Sequence, residues 1–210
     1  MMRAAAPARP DAALRALGRV RHFAPQQTIF AEGEPAAHVV LVIHGMVRSC
    51  STFSDGRRFI GAFYAAGDMF GLERSPGYLA SAEAVCETAG IFYPAPNWPD
   101  IIHAQDGLSR RIFGAVMQSG EQARGHARLL GRLCAIEKLA MFLLECHQRA
   151  DEGLQVTLKM TRQDIADYLG LTVETVSRCF AQLKREGLIG FRSSRELDFL
   201  DVPRLRNISG

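Results

Sequence analysis

Apolar residues between Thr28 and about Phe70 come in short runs separated by turn formers: TIF, EGEP, VVLVI, HG, MVRSCSTF, SDGR, RFIGAFY and AAGD. Runs this short, alternating or continuous and bounded by Gly, Asp and Pro, predict antiparallel strands in a small roll or barrel. Asp55-Gly56 predicts a hairpin turn, because glycine adopts the positive φ that such a turn requires. The first half of the chain is therefore read as β.

From Gly107 to Ala150 the strand-and-turn pattern stops, and apolar residues recur at three-to-four spacing, as in Ile112, Val116, Ser119, Ala123, His126, Leu130 and Leu133. That period puts one stripe on one side of a helix, and Arg111, Glu121, Gln122 and Lys138 add helix propensity. Two readings fit the stripe. It packs on its own domain, or it pairs with a second copy, for which the small Ser119, Gly120 and Ala123 allow close approach. A second run, AIEKLAMFLLECHQRA, has a denser apolar face (Ile136, Leu139, Ala140, Leu143, Leu144) and starts a new domain after a bend near Gly131.

The stretch Met160–Ile189 predicts two short helices in close succession. Thr161 is an N-cap with Asp164 three residues on, followed by apolar Ile165, Ala166 and Leu169, and Gly170 ends the helix. Thr172 caps a second helix with Val173, Val176, Phe180 and Leu183 inward, so Glu174, Thr175, Ser177 and Arg178 point elsewhere. Gly187 stops it behind Lys184 and Arg185, cations suited to a helix C-terminus. LIGF and ELDFL then flank Arg192-Ser193-Ser194-Arg195 as a two-stranded wing. Paired helices around a glycine turn, with polar residues opening the second, lay a recognition helix in the major groove of DNA. A plain αα-hairpin shares the helices, but not the ordered cap, turn, second cap, stop and wing.

Composition changes this picture little. The formal charge of +3 leans toward an anionic partner without naming one. Residues 157–210 hold nine Lys/Arg against seven Asp/Glu, so the motif, not the charge, carries the DNA-binding reading. Cys50, Cys86, Cys134, Cys146 and Cys179 form no C-x-x-C pair or zinc-like spacing and read as reduced thiols, mostly in the core. His22, His38, His44, His103, His126 and His147 show no metal spacing, which argues against a cupin-type metalloenzyme and predicts no enzyme. No cofactor is expected, although a haem ligand among these histidines stays open. No run approaches the roughly 18 apolar residues of a membrane span, and arginines interrupt the start where a signal peptide needs an apolar core. A cytoplasmic protein with no membrane partner is the expectation.

With these elements in order, the chain resembles the CRP/FNR superfamily of bacterial regulators from about residue 20 to 205. The resemblance rests on Phe30-Ala-Glu-Gly-Glu-Pro35, Gly67-Asp-Met-Phe-Gly-Leu-Glu73, the long central helix and the winged helix-turn-helix. Glu174-Thr-Val-Ser-Arg178 matches the E-x-x-S-R pattern of the FNR-type branch, and Asp164-Ile-Ala-Asp-Tyr-Leu-Gly-Leu171 is similar to FixK-like members. The implied fold is α+β: a β-roll of the cyclic-nucleotide-binding jelly-roll type, a long dimerisation helix and a C-terminal winged helix-turn-helix. The corresponding domains are a flexible tail over 1–20, the sensor-like roll over 21–106, the dimerisation helix over 107–135 and the DNA-binding domain over 136–210.

The resemblance implies a transcription regulator, activator or repressor, that binds a TTGAT-N4-ATCAA-like palindrome as a homodimer, works with RNA polymerase, and controls respiratory, low-oxygen or nitrogen-oxide-related genes. The alternative is a ligand-sensing module of the same fold, binding a cyclic nucleotide or haem. Arg178 would donate two parallel hydrogen bonds to guanine O6 and N7, Glu174 would accept from cytosine N4, and Ser177 would meet a base edge or thymine methyl. Thr161, Arg162, Gln163, Thr172 and Thr175 would contact the DNA backbone or position the readers. Cys179, next to Arg178, is a candidate redox thiol if that cation favours its thiolate, and a core cysteine otherwise.

Two departures from the family concern the input. Cyclic-nucleotide-binding members place an arginine on the phosphate where this chain has Ala80, so no cyclic nucleotide is expected and Glu73, whose counterpart holds the ribose, reads as a structural remnant. Residues 1–49 contain no cysteine, so the N-terminal ligands of an iron–sulfur cluster are missing there.

Overall fold

The computed structural model describes residues 18–73, 75–94, 106–132, 134–150 and 153–208. They form two compact units, divided between Arg124 and Gly125. Most of the expected 1–20 tail, the end of the expected roll (95–105) and Leu133 lie outside the described residues.

In the first unit the described strands build two antiparallel sheets. One runs β1 (Arg19–Phe23), β8 (Thr88–Pro94), β3 (His38–His44), β6 (Met69–Phe70). The other runs β2 (Thr28–Phe30), β7 (Ser81–Ala84), β4 (Met46–Thr52), β5 (Arg58–Ala65). The SDGR turn joins β4 to β5 with Gly56 at φ 83° and Asp55 accepting from the Arg57 amide, as the sequence predicts. Strands β1, β7 and β8 fall outside the sequence reading; β1 is an edge strand exposed along most of its length, so its apolar alternation is faint.

The continuous run VVLVI is explained by cover on both faces. Val40 and Val42 point between the sheets, with Phe30, Val47, Phe70, Ala82 and Phe92. Val39 and Leu41 point the other way, with Ile91 and Tyr93, onto Ile112 of the central helix α1 (Asp106–Arg132). A strand buried on both sides loses the polar-out alternation. Further along α1, the buried His126 and Leu129 belong to the second unit. The helix read as a domain of its own thus serves two cores in succession.

The break expected near Gly131 comes a little later: α1 ends at Arg132 and α2 (Ala135–Arg149) follows. The second unit continues through β9 (Gln155–Thr157), α3 (Arg162–Leu169), α4 (Val173–Arg185), β10 (Ile189–Phe191), β11 (Glu196–Phe199) and α5 (Val202–Ile208). The wing has a third strand that the sequence reading lacks. β9 pairs with β11, setting the buried Val156 opposite Leu197, in the sheet order β10-β11-β9.

Candidate nucleic-acid interface

The two helices of the motif start and stop where their local chemistry dictates. The Thr161 hydroxyl accepts from the Asp164 amide at 3.0 Å, and the Asp164 carboxylate accepts from the Thr161 amide at 3.0 Å, closing a reciprocal cap on α3. Gly170 ends α3 in the left-handed conformation at φ 62°, which a Cβ would strain. Thr172 caps α4 by accepting from the Thr175 amide, and Gly187, at φ 72°, turns the chain out of it.

Val176, Cys179, Phe180 and Leu183 form the buried face of α4. About two turns of that helix are thereby held by core packing, and the opposite face is left free. On it Glu174, Ser177 and Arg178 are all exposed. Their spacing of three and four residues stacks them along one side, at the N-terminal end of the helix. The backbone amide at the helix start, then the Thr172 hydroxyl and the Arg178 charge, hold the Glu174 carboxyl below the usual carboxylate range. It is anionic at neutral pH and suited to accepting from a base amine. The Ser177 hydroxyl donates to the Val173 carbonyl at 2.8 Å, which leaves its lone pairs and Cβ facing outward.

The other predicted contacts divide into two kinds. Gln163 is exposed and donates to Asp167 at 2.7 Å, beside the start of α3. The hydroxyls of Thr161, Thr172 and Thr175, with the amides of Thr161 and Thr175, serve the caps at the two helix starts. Arg162 differs: its guanidinium is half-buried against Phe180 and Phe191, a pairing of distant residues with no signature in the local sequence.

Two sequence expectations change. Val173, expected inward, is only half-buried, and Cys179 takes its share of the core face. Burial, with Cys134 a smaller cause, pushes the Cys179 thiol up in pKa, the opposite of what a reactive thiolate needs. The packed core cysteine is the alternative that the structure displays.

In the roll, Ala80 presents only a methyl group where a phosphate-binding cation would stand, and the buried Arg48 is engaged by Glu83 at 2.9 Å and by Gln26. Glu73 keeps Oε2 buried without a hydrogen-bond partner among the described residues, and burial raises its pKa. The described residues show no cluster of His, Cys, Asp or Glu fit to hold a metal ion, and no described helix is long and apolar enough to cross a membrane.

A β-roll followed by a long helix and a winged helix-turn-helix with polar residues free at the start of its second helix defines a DNA-binding regulator. Residues 137–208 match the Crp-like helix-turn-helix domain and residues 20–104 the cyclic nucleotide-binding domain. The chain is 36% identical over 189 residues to the nitrogen fixation regulation protein FixK of Rhizobium meliloti, spanning 90% of this chain and 86% of that protein. It is 39% identical to FixK of Azorhizobium caulinodans over 96% of this chain and 83% of the relative. The solved structure of FixK2 from Bradyrhizobium japonicum superposes with a TM-score of 0.86 at 37% identity, covering 92% of this chain and 98% of that one. The chain belongs to the CRP/FNR family of transcription regulators, within its FixK-like members.

Proposed function

We propose that this regulator binds a TTGAT-N4-ATCAA-like palindrome as a homodimer, with Arg178 on the guanine, Glu174 on its paired cytosine or the neighbouring base, and Ser177 at an adjacent base edge. The observation that carries the reading is the joint exposure of these three residues on one face of α4, whose other face is core. Half-sites about one duplex turn apart require two recognition helices related by a two-fold axis, which a homodimer supplies. Thr161, Gln163, Thr172 and Thr175 sit at the two helix starts, where amides not engaged by the caps suit phosphate oxygens.

For the dimer surface, support comes from the part of the α1 apolar stripe that stays exposed, Val116, Ser119 and Ala123, together with the residues beside it. Ile112 and His126 of the predicted stripe are spent within the chain, whereas Phe113, Val116 and Met117 are 68%, 47% and 50% exposed and continue into Gly120, Ala123 and Ala127. Large side chains in water next to small ones are what a helix pairing with its own copy presents. The domain limits that follow are a roll over 21–106, a dimerisation helix over 107–135 and a DNA-binding domain over 136–210. Genes of low-oxygen, respiratory or nitrogen-oxide metabolism are the proposed targets, in keeping with relatives named as nitrogen fixation regulators, and RNA polymerase is the proposed protein partner. The proposed site of action is the cytoplasm, without a cyclic nucleotide, so neither cyclic AMP nor cyclic GMP should change operator affinity.

Selection of sites from random DNA tests the reading. Wild type should enrich the palindrome, and Arg178→Ala should lose about 1–3 kcal/mol per half-site together with its preference at the G·C pair. Enrichment of a motif lacking that pair, or an Arg178→Ala protein that keeps the preference, would overturn the assignment.

A further inference from the structure

The guanidinium of Arg162 lies against two aromatic rings. Its Cζ lies 3.3 Å from the centroid of the Phe180 ring and 5.0 Å from that of Phe191. The two rings are themselves 5.6 Å apart, tilted by 57°. Arg162 opens α3, Phe180 lies in the recognition helix α4, and Phe191 lies in strand β10 of the wing. One side chain therefore touches all three elements that a winged helix-turn-helix brings to DNA.

The geometry is poor for a phosphate contact. Nη1 is buried and has no hydrogen-bond partner among the described residues, and burial lowers the pKa to about 10, which still leaves the group charged at neutral pH. A planar cation on aromatic faces is attracted by the ring quadrupole, increasingly so as water is excluded. Between the wing tip and the start of α3 lies a cleft of about 170 Å³, lined by Leu158, Met160, Ile165, Ser194 and Arg195 as well as Arg162. Close packing does not fill that space, and the Arg162 contacts with Phe180 and Phe191 join α3 to the recognition helix and the wing beside it.

We propose that Arg162 is a positioning residue whose stack on Phe180 and Phe191 sets the angle between the recognition helix and the wing, and so the fidelity of base reading, without contacting DNA itself. The proposal rests on the DNA-reading function above. Lysine cannot replace it, because a compact ammonium lacks the flat, delocalised cation that lies 3.3 Å over the Phe180 ring and reaches Phe191 as well.

The test uses the full-length chain as wild type, Arg162→Lys, Arg162→Gln, Phe191→Leu and the Arg162→Lys/Phe191→Leu double variant. Binding is measured to the palindrome and to a duplex with A·T at each G·C pair, over a series of salt concentrations. The ratio of the two Kd values should fall about tenfold in Arg162→Lys and similarly in Phe191→Leu, a size consistent with a desolvated cation–π contact. The double variant should lose little more than either single one, because both break the same stack. The salt slope should be unchanged in Arg162→Gln, whereas loss of a phosphate contact would reduce it by about 0.9. In NMR the Arg162 Nε–H should be ring-current shifted and should return toward its ordinary position in Phe191→Leu.

A wild-type ratio in Arg162→Lys, multiplying effects in the double variant or a reduced slope in Arg162→Gln overturns the proposal. Should the Arg162 variants fail to fold, Phe191→Leu decides alone: unchanged selectivity or an unshifted wild-type Nε–H refutes the clamp. A wild type that shows no preference for the palindrome is instead a failure of the proposed function, and the NMR signal still judges the stack.

Discussion

The imidazole of His126 lies flat on the phenol ring of Tyr168, centroids 4.1 Å apart and planes within 4°, while its Nε2 donates to the Tyr168 carbonyl at 2.7 Å. Close by, the Lys138 ammonium donates to the Leu169 carbonyl at 3.3 Å. Both carbonyls belong to the last turn of α3, which has no basic residue of its own. Side chains from α1 and α2 thus supply the donors that its C-terminal carbonyls lack. The end of the central helix is in this way joined to the motif that reads DNA.

Replacing His126 with Phe should keep the stack and lose the hydrogen bond. The expected cost is about 0.5–1.5 kcal/mol, with more for His126→Ala, which also opens a cavity. Urea unfolding followed by a probe in the DNA-binding unit measures both. Equal stability of His126→Phe and wild type would show that the bond contributes nothing net.

Met117→Glu should split the proposed dimer and leave the fold intact, because that side chain is half-exposed within the chain. Sedimentation should give a monomer whose affinity for a single half-site approaches that of wild type and whose affinity for the palindrome is reduced. Leu130 is a poorer place for the same experiment. Its Cδ2 would come within 3.3 Å of a Cβ placed on Gly170, so a charge there disturbs the helix-turn-helix turn directly.

Thiol reactivity should follow exposure. Cys134 is exposed, whereas Cys179 is buried with a raised pKa, and burial pushes Cys146 up to about 12. Iodoacetamide at neutral pH should label Cys134 first and reach Cys179 only as the protein unfolds. Mass spectrometry of partially labelled native protein showing Cys179 modified first would contradict this order.

Glu145 gives the fold a defined response to pH. Burial raises its carboxyl above the ordinary value of 4.5, against the lowering effect of Arg149. The folded state therefore holds this proton more tightly than the unfolded chain. Its contribution is fully present below the ordinary value and is lost as pH rises through the folded one. Glu145→Gln should remove that slope and raise stability at neutral pH; thermal unfolding of both proteins between pH 4 and 8 is the measurement, and parallel curves would refute the assignment.

Features governed by neighbouring residues were legible in the sequence. Caps, glycine stops and the Asp55-Gly56 turn act through bonds spanning two to five residues, so Thr161, Gly170, Thr172 and Gly187 declare α3 and α4 without tertiary information. The exposure of Glu174, Ser177 and Arg178 follows as soon as helical periodicity sets Val176, Phe180 and Leu183 inward. Three-dimensional packing decided the rest. Only tertiary packing shows that Cys179 joins the core face of α4, and only the contacts of α1 show which part of its apolar surface stays in water. Strand β9 is three residues long and acquires its place through a partner some forty positions away. The contacts of Arg162 with Phe180 and Phe191 and the His126–Tyr168 pair each join residues far apart in the chain, and no local pattern encodes them because the stabilising contact exists only once the elements have met.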